Sequence, residues 1–336
     1  VPGVLCTPRT AAPGNGHPCC ERNGRFPLFF HAARDMFHRV EQNGPDRPLW
    51  TRPHSSQRTK KMRRFLASLA LFSLLASTSP LDAQTSTPPP DSTPAPPPLF
   101  TRGDAYLAAG FLAAAALLAP LDRPIARELQ EPDVQTNDFL DGAADVFRLL
   151  GLPGTVLIGG TLYLAGRIGD LPTTADIGLH TTEATLLALA LTTPLKGLIG
   201  RARPDTGHGP GDFELGRGFH RGDDFQALPS GHTTAAFAAA AALAAEATHH
   251  SPGATRYVAP LGFTAAALVG FSRMYDNRHW ATDVSLGAAI GTFSGLKVAR
   301  YHHSRPDNPI DRWLLPAAIL PAPRGGLAVA WSLAAP

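Results

Sequence analysis

Three short blocks in the second half of the chain hold the residues whose types and spacing could do chemistry. The first runs Lys196-Gly-Leu-Ile-Gly-Arg-Ala-Arg203-Pro204 at the end of an apolar segment. Only two lysines, Lys196 and Lys297, follow residue 61, against eighteen arginines, so a lysine here is unusual for this chain. Alone, the block also suits the ordinary cation complement of a helix C-terminus. The second block, Pro229-Ser230-Gly231-His232-Thr233, opens an Ala-rich segment. Free N–H groups and the positive dipole end of a helix would meet there, an arrangement that holds phosphate or another anion; a plain Ser N-cap after a proline accounts for it as well. The third block runs from Ser272-Arg273 to His279-Trp-Ala-Thr-Asp283. His279 and Asp283 are four apart, so a helix starting by His279 would put them on one face. The carboxylate could then take the imidazole proton, fix the tautomer and leave the other nitrogen free to attack. A lone His-x3-Asp is otherwise a helix-surface pair.

Those blocks must be brought together by the elements between them. Six Ala/Leu/Gly-rich segments, each closed by a polar loop with Pro or Gly, run roughly 104–121, 148–166, 178–195, 233–248, 257–272 and 281–298, without strong period-2 alternation. The expected fold is all-α: a six-helix core bundle with the active site at one end. The third and fifth segments end, and the fourth and sixth begin, at the motif positions, so antiparallel packing would gather every block at that end. Three cations, two histidines, an anion-binding helix start and one carboxylate suit phosphoryl transfer without metal, because fixed donors stabilise charge spread over the phosphoryl oxygens. Helices apolar all round are membrane spans or buried core. Only the first two exceed about 16 uncharged residues; the others are interrupted by Glu183 or Glu246, or fall short of the roughly 20 residues that a span prefers.

Taken together, Lys-x6-Arg-Pro, Pro-Ser-Gly-His and Ser-Arg-x5-His-x3-Asp resemble the type 2 phosphatidic-acid phosphatase family, which includes bacterial acid phosphatases and is related to vanadium haloperoxidases. Every motif position from Lys196 to Asp283 matches. The resemblance implies that Lys196, Arg203 and Arg273 bind phosphate oxygens, with Ser230 and Gly231 helping through hydroxyl and backbone N–H. His279 would be the nucleophile that becomes phosphohistidine, Asp283 its orienting partner, and His232 the acid that protonates the leaving alcohol. The implied activity is a metal-independent phosphatase, a phosphoric ester hydrolase acting on a phosphomonoester or diphosphate of a membrane lipid. The alternatives are a soluble periplasmic acid phosphatase, a vanadate-dependent haloperoxidase, and a non-catalytic binding protein, against which the intact His232, His279 and Asp283 speak.

Composition sets outer bounds. The chain has 336 residues, 44% hydrophobic and 17% charged, too apolar for disorder. Residues 1–61 carry ten Lys/Arg against four Asp/Glu, leaving twenty against twenty-three afterwards, and a slightly acidic body argues against a nucleic-acid partner. Cys6, Cys19 and Cys20 all precede residue 21, so the body has no thiolate site, and no zincin or EF-hand set is present. No metal and no cofactor is expected. His249-His250 and His302-His303 read as solvated helix-end residues rather than ligands. Asp223-Asp224 sits in a Gly-rich loop, 205–228, that is a lid or a plain solvent loop.

Residues 62–83 match a secretory signal peptide: a basic start, an apolar run from Phe65 to Ala76 and a small-residue exit near Ala83. Residues 1–61 then read as upstream translation or a basic leader. Residues 84–98 form a Pro-rich linker, 99–300 the helical domain, and 301–336 a tail in which PRGG at 323–326 suggests a hairpin. The expected location is the cell envelope, membrane-associated with the active site outside the cytoplasm, or alternatively soluble in the periplasm. The expected partners are the membrane and a phosphorylated lipid or small phosphoester.

Overall fold

The computed structural model describes residues 97–314 and two strands, Ala317–Pro321 and Leu327–Trp331. The leader, the signal segment and nearly all of the linker lie outside the described residues. The main helices are α1 (Arg102–Leu118), α2 (Asp122–Leu129), α3 (Asp138–Leu149), α4 (Thr155–Ile168), α5 (Pro172–Ile199), α6 (Gly231–His250), α7 (Pro252–Tyr275), α8 (Ala281–Ser304) and α9 (Pro309–Leu314). The strands β1 (Ala317–Pro321) and β2 (Leu327–Trp331) pair antiparallel, with Ala317 opposite Trp331.

The helical class agrees with the sequence, but the second expected helix does not exist as one element. Leu152 takes an extended conformation (φ −144°, ψ 129°) before Pro153 and separates α3 from α4. The polar stretch 122–149 is also helical: α2 carries charges on an exposed face, and Asn137 caps α3 by accepting from the N–H groups of Phe139 and Leu140. The third, fifth and sixth segments extend well past their apolar runs, to 28, 24 and 24 residues.

The centre of the bundle is α6, whose alanines 235, 236 and 238–242 are all buried against α5, α7 and α8. Small side chains let the axes approach, and α8 answers with Gly287, Gly291 and Gly295 at four-residue spacing. A Cβ on Gly291 would stand 2.3 Å from the Thr234 carbonyl oxygen, so this crossing tolerates nothing larger. It also sets the register between the starts of the two helices, where the Ser230 N–H donates to the Asp283 carbonyl (3.0 Å). Phe237 and Phe263, ring centroids 5.9 Å apart, fill the seam between α6 and α7.

Arg102–Leu129 and Asp138–Ile168 are long and apolar enough to cross a membrane. In the first, only 6% of the most apolar window is buried by protein, and Tyr106, Leu112 and Leu117 point outward. Its N-terminus is held by Lys297, which bonds Asp104 (2.5 Å) and the Leu99 carbonyl (2.8 Å).

Candidate active site

The ends of α5, α6 and α7 and the approach to α8 surround one cavity of about 300 Å³. Lys196 in the last turn of α5, Arg203 just beyond it, Gly231 and His232 in the first turn of α6, Arg273 in the last turn of α7, and His279 ahead of α8 all line it. The left-handed C-cap Gly200 (φ +60°) ends α5 and lets the chain turn back, with Arg203 carried inward. The Ser230 side chain makes no cap bond to the first-turn N–H groups of α6, which leaves them available to an anion.

Two expected residues have other partners. Ser230 does not line the cavity; its buried hydroxyl accepts from Thr233 Oγ1 at 2.9 Å. Asp283 is not hydrogen-bonded to His279. The helix begins at Ala281, so His279 lies outside it, and Nδ1 donates to the Ala227 carbonyl (2.7 Å) while Asp283 Oδ2 stands 3.7 Å away. A carbonyl only accepts, so a neutral His279 carries its proton on Nδ1 and Nε2 holds the lone pair. The main chain, rather than the carboxylate, thus fixes the tautomer.

Asp283 is instead one end of a buried network. Its Oδ2 accepts from the Trp280 N–H (2.8 Å), and its Oδ1 pairs with Arg201 Nη1. Arg201 Nη2 also pairs with Asp122 (2.7 Å), and Asp122 accepts from the Thr282 N–H (2.9 Å) and hydroxyl (2.6 Å). One guanidinium thus ties the start of α2 to the first turn of α8. Nothing in the sequence pointed to Asp122, 160 positions from Thr282; Arg201 lay in plain view inside the first block.

Two further charged side chains reach the cavity. Arg278, next to His279, bonds Asp205 (2.6 Å) and pairs with Asp223, which also pairs with Arg203. The 205–228 loop therefore crosses the site rather than lying in solvent. Asp223 sits where its carboxylate holds two guanidinium groups, and Gln226 offers its carbonyl to Lys196 Nζ (2.7 Å).

This crowding of cations shifts each titratable group. Burial, and then the nearby Arg203 charge, brings Lys196 down to about 7. Burial together with Arg273 and Lys196 holds His232 down at about 3, and His279 is likewise pushed well below the usual histidine range. Burial raises Asp283 to about 6 against the opposing pull of Arg201, so it is ionised at neutral pH. Both histidines are neutral beside these cations.

The other end of the bundle differs from the expectation. His302 is not a solvated helix-end residue: it is 2% exposed and bonded to Asp311 Oδ1 (2.6 Å) and Glu183 Oε2 (2.7 Å), while its neighbour His303 bonds the fully buried Glu246 (2.9 Å).

Over 85 residues, a quarter of this chain, the sequence is 40% identical to the lipid A 1-phosphatase of Porphyromonas gingivalis; the match spans 18% of that relative's length. The crystal structure of a transmembrane PAP2-type phosphatidylglycerolphosphate phosphatase from Bacillus subtilis aligns over 62% of this chain and 99% of its own, with 23% identity and a TM-score of 0.43. Residues 178–307, which hold every motif position from Lys196 to Asp283, match the sequence model of the PAP2 superfamily.

Proposed function

We propose that the protein hydrolyses the phosphate ester of a membrane lipid in two steps through His279, with no metal taking part in the chemistry. The observation that carries this reading is the convergence of Lys196, Arg203, Arg273, Arg278 and the free start of α6 around the cavity that also contains His232 and His279. Four cations and a helix N-terminus supply, as fixed donors, the charge stabilisation that a divalent ion supplies elsewhere.

In the first step, His279 Nε2 attacks phosphorus and the bond to the leaving oxygen breaks. Phosphorylated imidazole is cationic; the Ala227 carbonyl holds its Nδ1–H, and Asp283 at 3.7 Å offsets its charge. His232 gives a proton to the leaving alkoxide. It holds that proton only in the complex, because the substrate's negative charge offsets the cations that keep the empty site's imidazole neutral. In the second step the now neutral His232 takes a proton from water, which attacks phosphorus; the P–N bond breaks, and inorganic phosphate and the free imidazole are restored.

A lipid substrate is supported by the two long apolar helices and by the named activity of the P. gingivalis relative. With the acyl chain left in the bilayer, the head group alone needs to enter, and the remote binding energy positions it. An active site on the outer side of the cytoplasmic membrane accords with the signal-like segment. Purified protein should show a larger kcat/KM on a lipid phosphate in mixed micelles than on a short-chain ester with the same head group, and His279→Ala should abolish both activities. Equal or better turnover of the soluble ester, with recovery in a detergent-free periplasmic extract, would favour a soluble acid phosphatase. Chelator should leave turnover per folded molecule unchanged, with folding followed by circular dichroism; loss at constant folding, restored by Mg2+ or Zn2+, contradicts the metal-free step.

A further inference from the structure

The end of the bundle away from the cavity holds a second chemical centre. His180 on α5 and His302 on α8 are 3% and 2% exposed, and their rings stack with centroids 4.0 Å apart. His180, His302 and Asp311, the last from α9, each present one potential ligand atom within 4.8 Å of the other two. Asp311 Oδ1 is 2.6 Å from His302 Nδ1 and 3.6 Å from His180 Nε2, and that last nitrogen, fully enclosed, has no hydrogen-bond partner.

The outward-facing nitrogens are all held by carboxylates. Glu246 Oε1 is 2.7 Å from His180 Nδ1, and Glu183 Oε2 is 2.7 Å from His302 Nε2. Asn308 Nδ2 donates to the other oxygen of Asp311 (2.5 Å). Metal-ligating histidines characteristically give their second N–H to a carboxylate, which fixes the tautomer and turns the free lone pair toward the ion. A proton on His302 Nδ1 accounts for its 2.6 Å contact with Asp311, but it leaves the enclosed His180 Nε2 without a hydrogen bond, and a bound ion would take up that lone pair. We propose that His180 Nε2, His302 Nδ1 and Asp311 Oδ1 bind a divalent transition ion of the Zn2+ class, with Glu246 and Glu183 as outer carboxylates, and that the ion pins α9 to α5 and α8.

Two imidazoles and one carboxylate, with water in the fourth position, suit tetrahedral Zn2+, whose ligand atoms would lie about 3.3 Å apart given bonds of about 2.0–2.1 Å. The 3.6 Å pair closes slightly to reach that separation, and the 2.6 Å pair opens by less than an ångström. The ion would stabilise the fold and takes no part in the phosphoryl site.

The test uses the full chain, tag-free and stripped with chelator, titrated with Co2+ as a spectroscopic probe. Stoichiometric binding with the intense visible bands of tetrahedral cobalt and a raised Tm is expected. Asp311→Asn should abolish the bands, Glu183→Gln should weaken binding about 10–100-fold, and His249→Ala, at an exposed position, should change neither. Circular dichroism checks that each variant is folded. Absence of tetrahedral bands in the wild type, or wild-type cobalt affinity in folded Asp311→Asn, overturns the site.

Discussion

Filling the cavity with a dianion should drive a proton onto Lys196. The amine is buried among Arg203 and Arg273 and titrates at about 7 in the empty protein, against 10.5 for a free lysine. A bound tetrahedral dianion cancels that repulsion and returns the amine toward its ordinary value, so the complex holds the proton more tightly than the free protein. The sign follows: affinity is full below pH 7 and is lost as pH rises through the free-site value. In a His232→Gln background, which removes the other group that gains a proton with the ligand, a free-site value of about 7 gives an uptake of about 0.5 proton per ligand at pH 7 and about 0.9 at pH 8, and an affinity loss of roughly 50-fold from pH 7 to pH 9. Tungstate is a suitable ligand because it does not itself titrate in this range. Calorimetry at each pH in two buffers of different ionisation enthalpy reads the proton number directly. Lys196→Arg, permanently charged, should flatten the dependence. Proton uptake that does not rise between pH 7 and 8, or a Lys196→Arg variant with the wild-type profile, would refute the reasoning.

Removing Arg201 leaves Asp122 and Asp283 buried without a counter-charge, so Arg201→Met should cost about 3–5 kcal/mol, a fall in Tm of roughly 6–20 °C by calorimetry; a shift within 2 °C would show the network to be dispensable. Asp223 competes with substrate for Arg203 and Arg278 across an exposed ion pair, so Asp223→Ala should lower the inhibition constant for tungstate about 2–5-fold. A rise would instead assign Asp223 to holding the guanidinium groups in place. Gly291→Val forces side-chain atoms into the Thr234 carbonyl and should cost about 1–3 kcal/mol, read as a lowered Tm.

The sequence exposed what local spacing could encode. Lys196, Arg203, His232, Arg273 and His279 were visible because each sits at a helix end beside a turn residue, and ends of successive antiparallel helices meet. What stayed hidden depends on which loop crosses which end. Whether Asp223 belonged to a lid or to a solvent loop could not be told before the 205–228 loop folded over the cavity, and Asp283 looked like the histidine's partner until Ala227, from that same loop, took Nδ1. The helices in 122–149 were lost because polar, charged stretches lack the apolar run that marked the six segments, and the break at Leu152 because it falls inside such a run, where only Pro153 signals it. His302 read as solvated since a His-His pair at a helix end usually is; only the docking of α9 buries it.

The most direct test of the account is to identify the phosphoenzyme. Rapid quenching of turnover into alkali, followed by tandem mass spectrometry and 31P NMR, should find one phosphoryl group on His279 at Nε2, because Nδ1 is committed to the Ala227 carbonyl. Phosphate on Nδ1, on another residue, or on none while the enzyme turns over would contradict it.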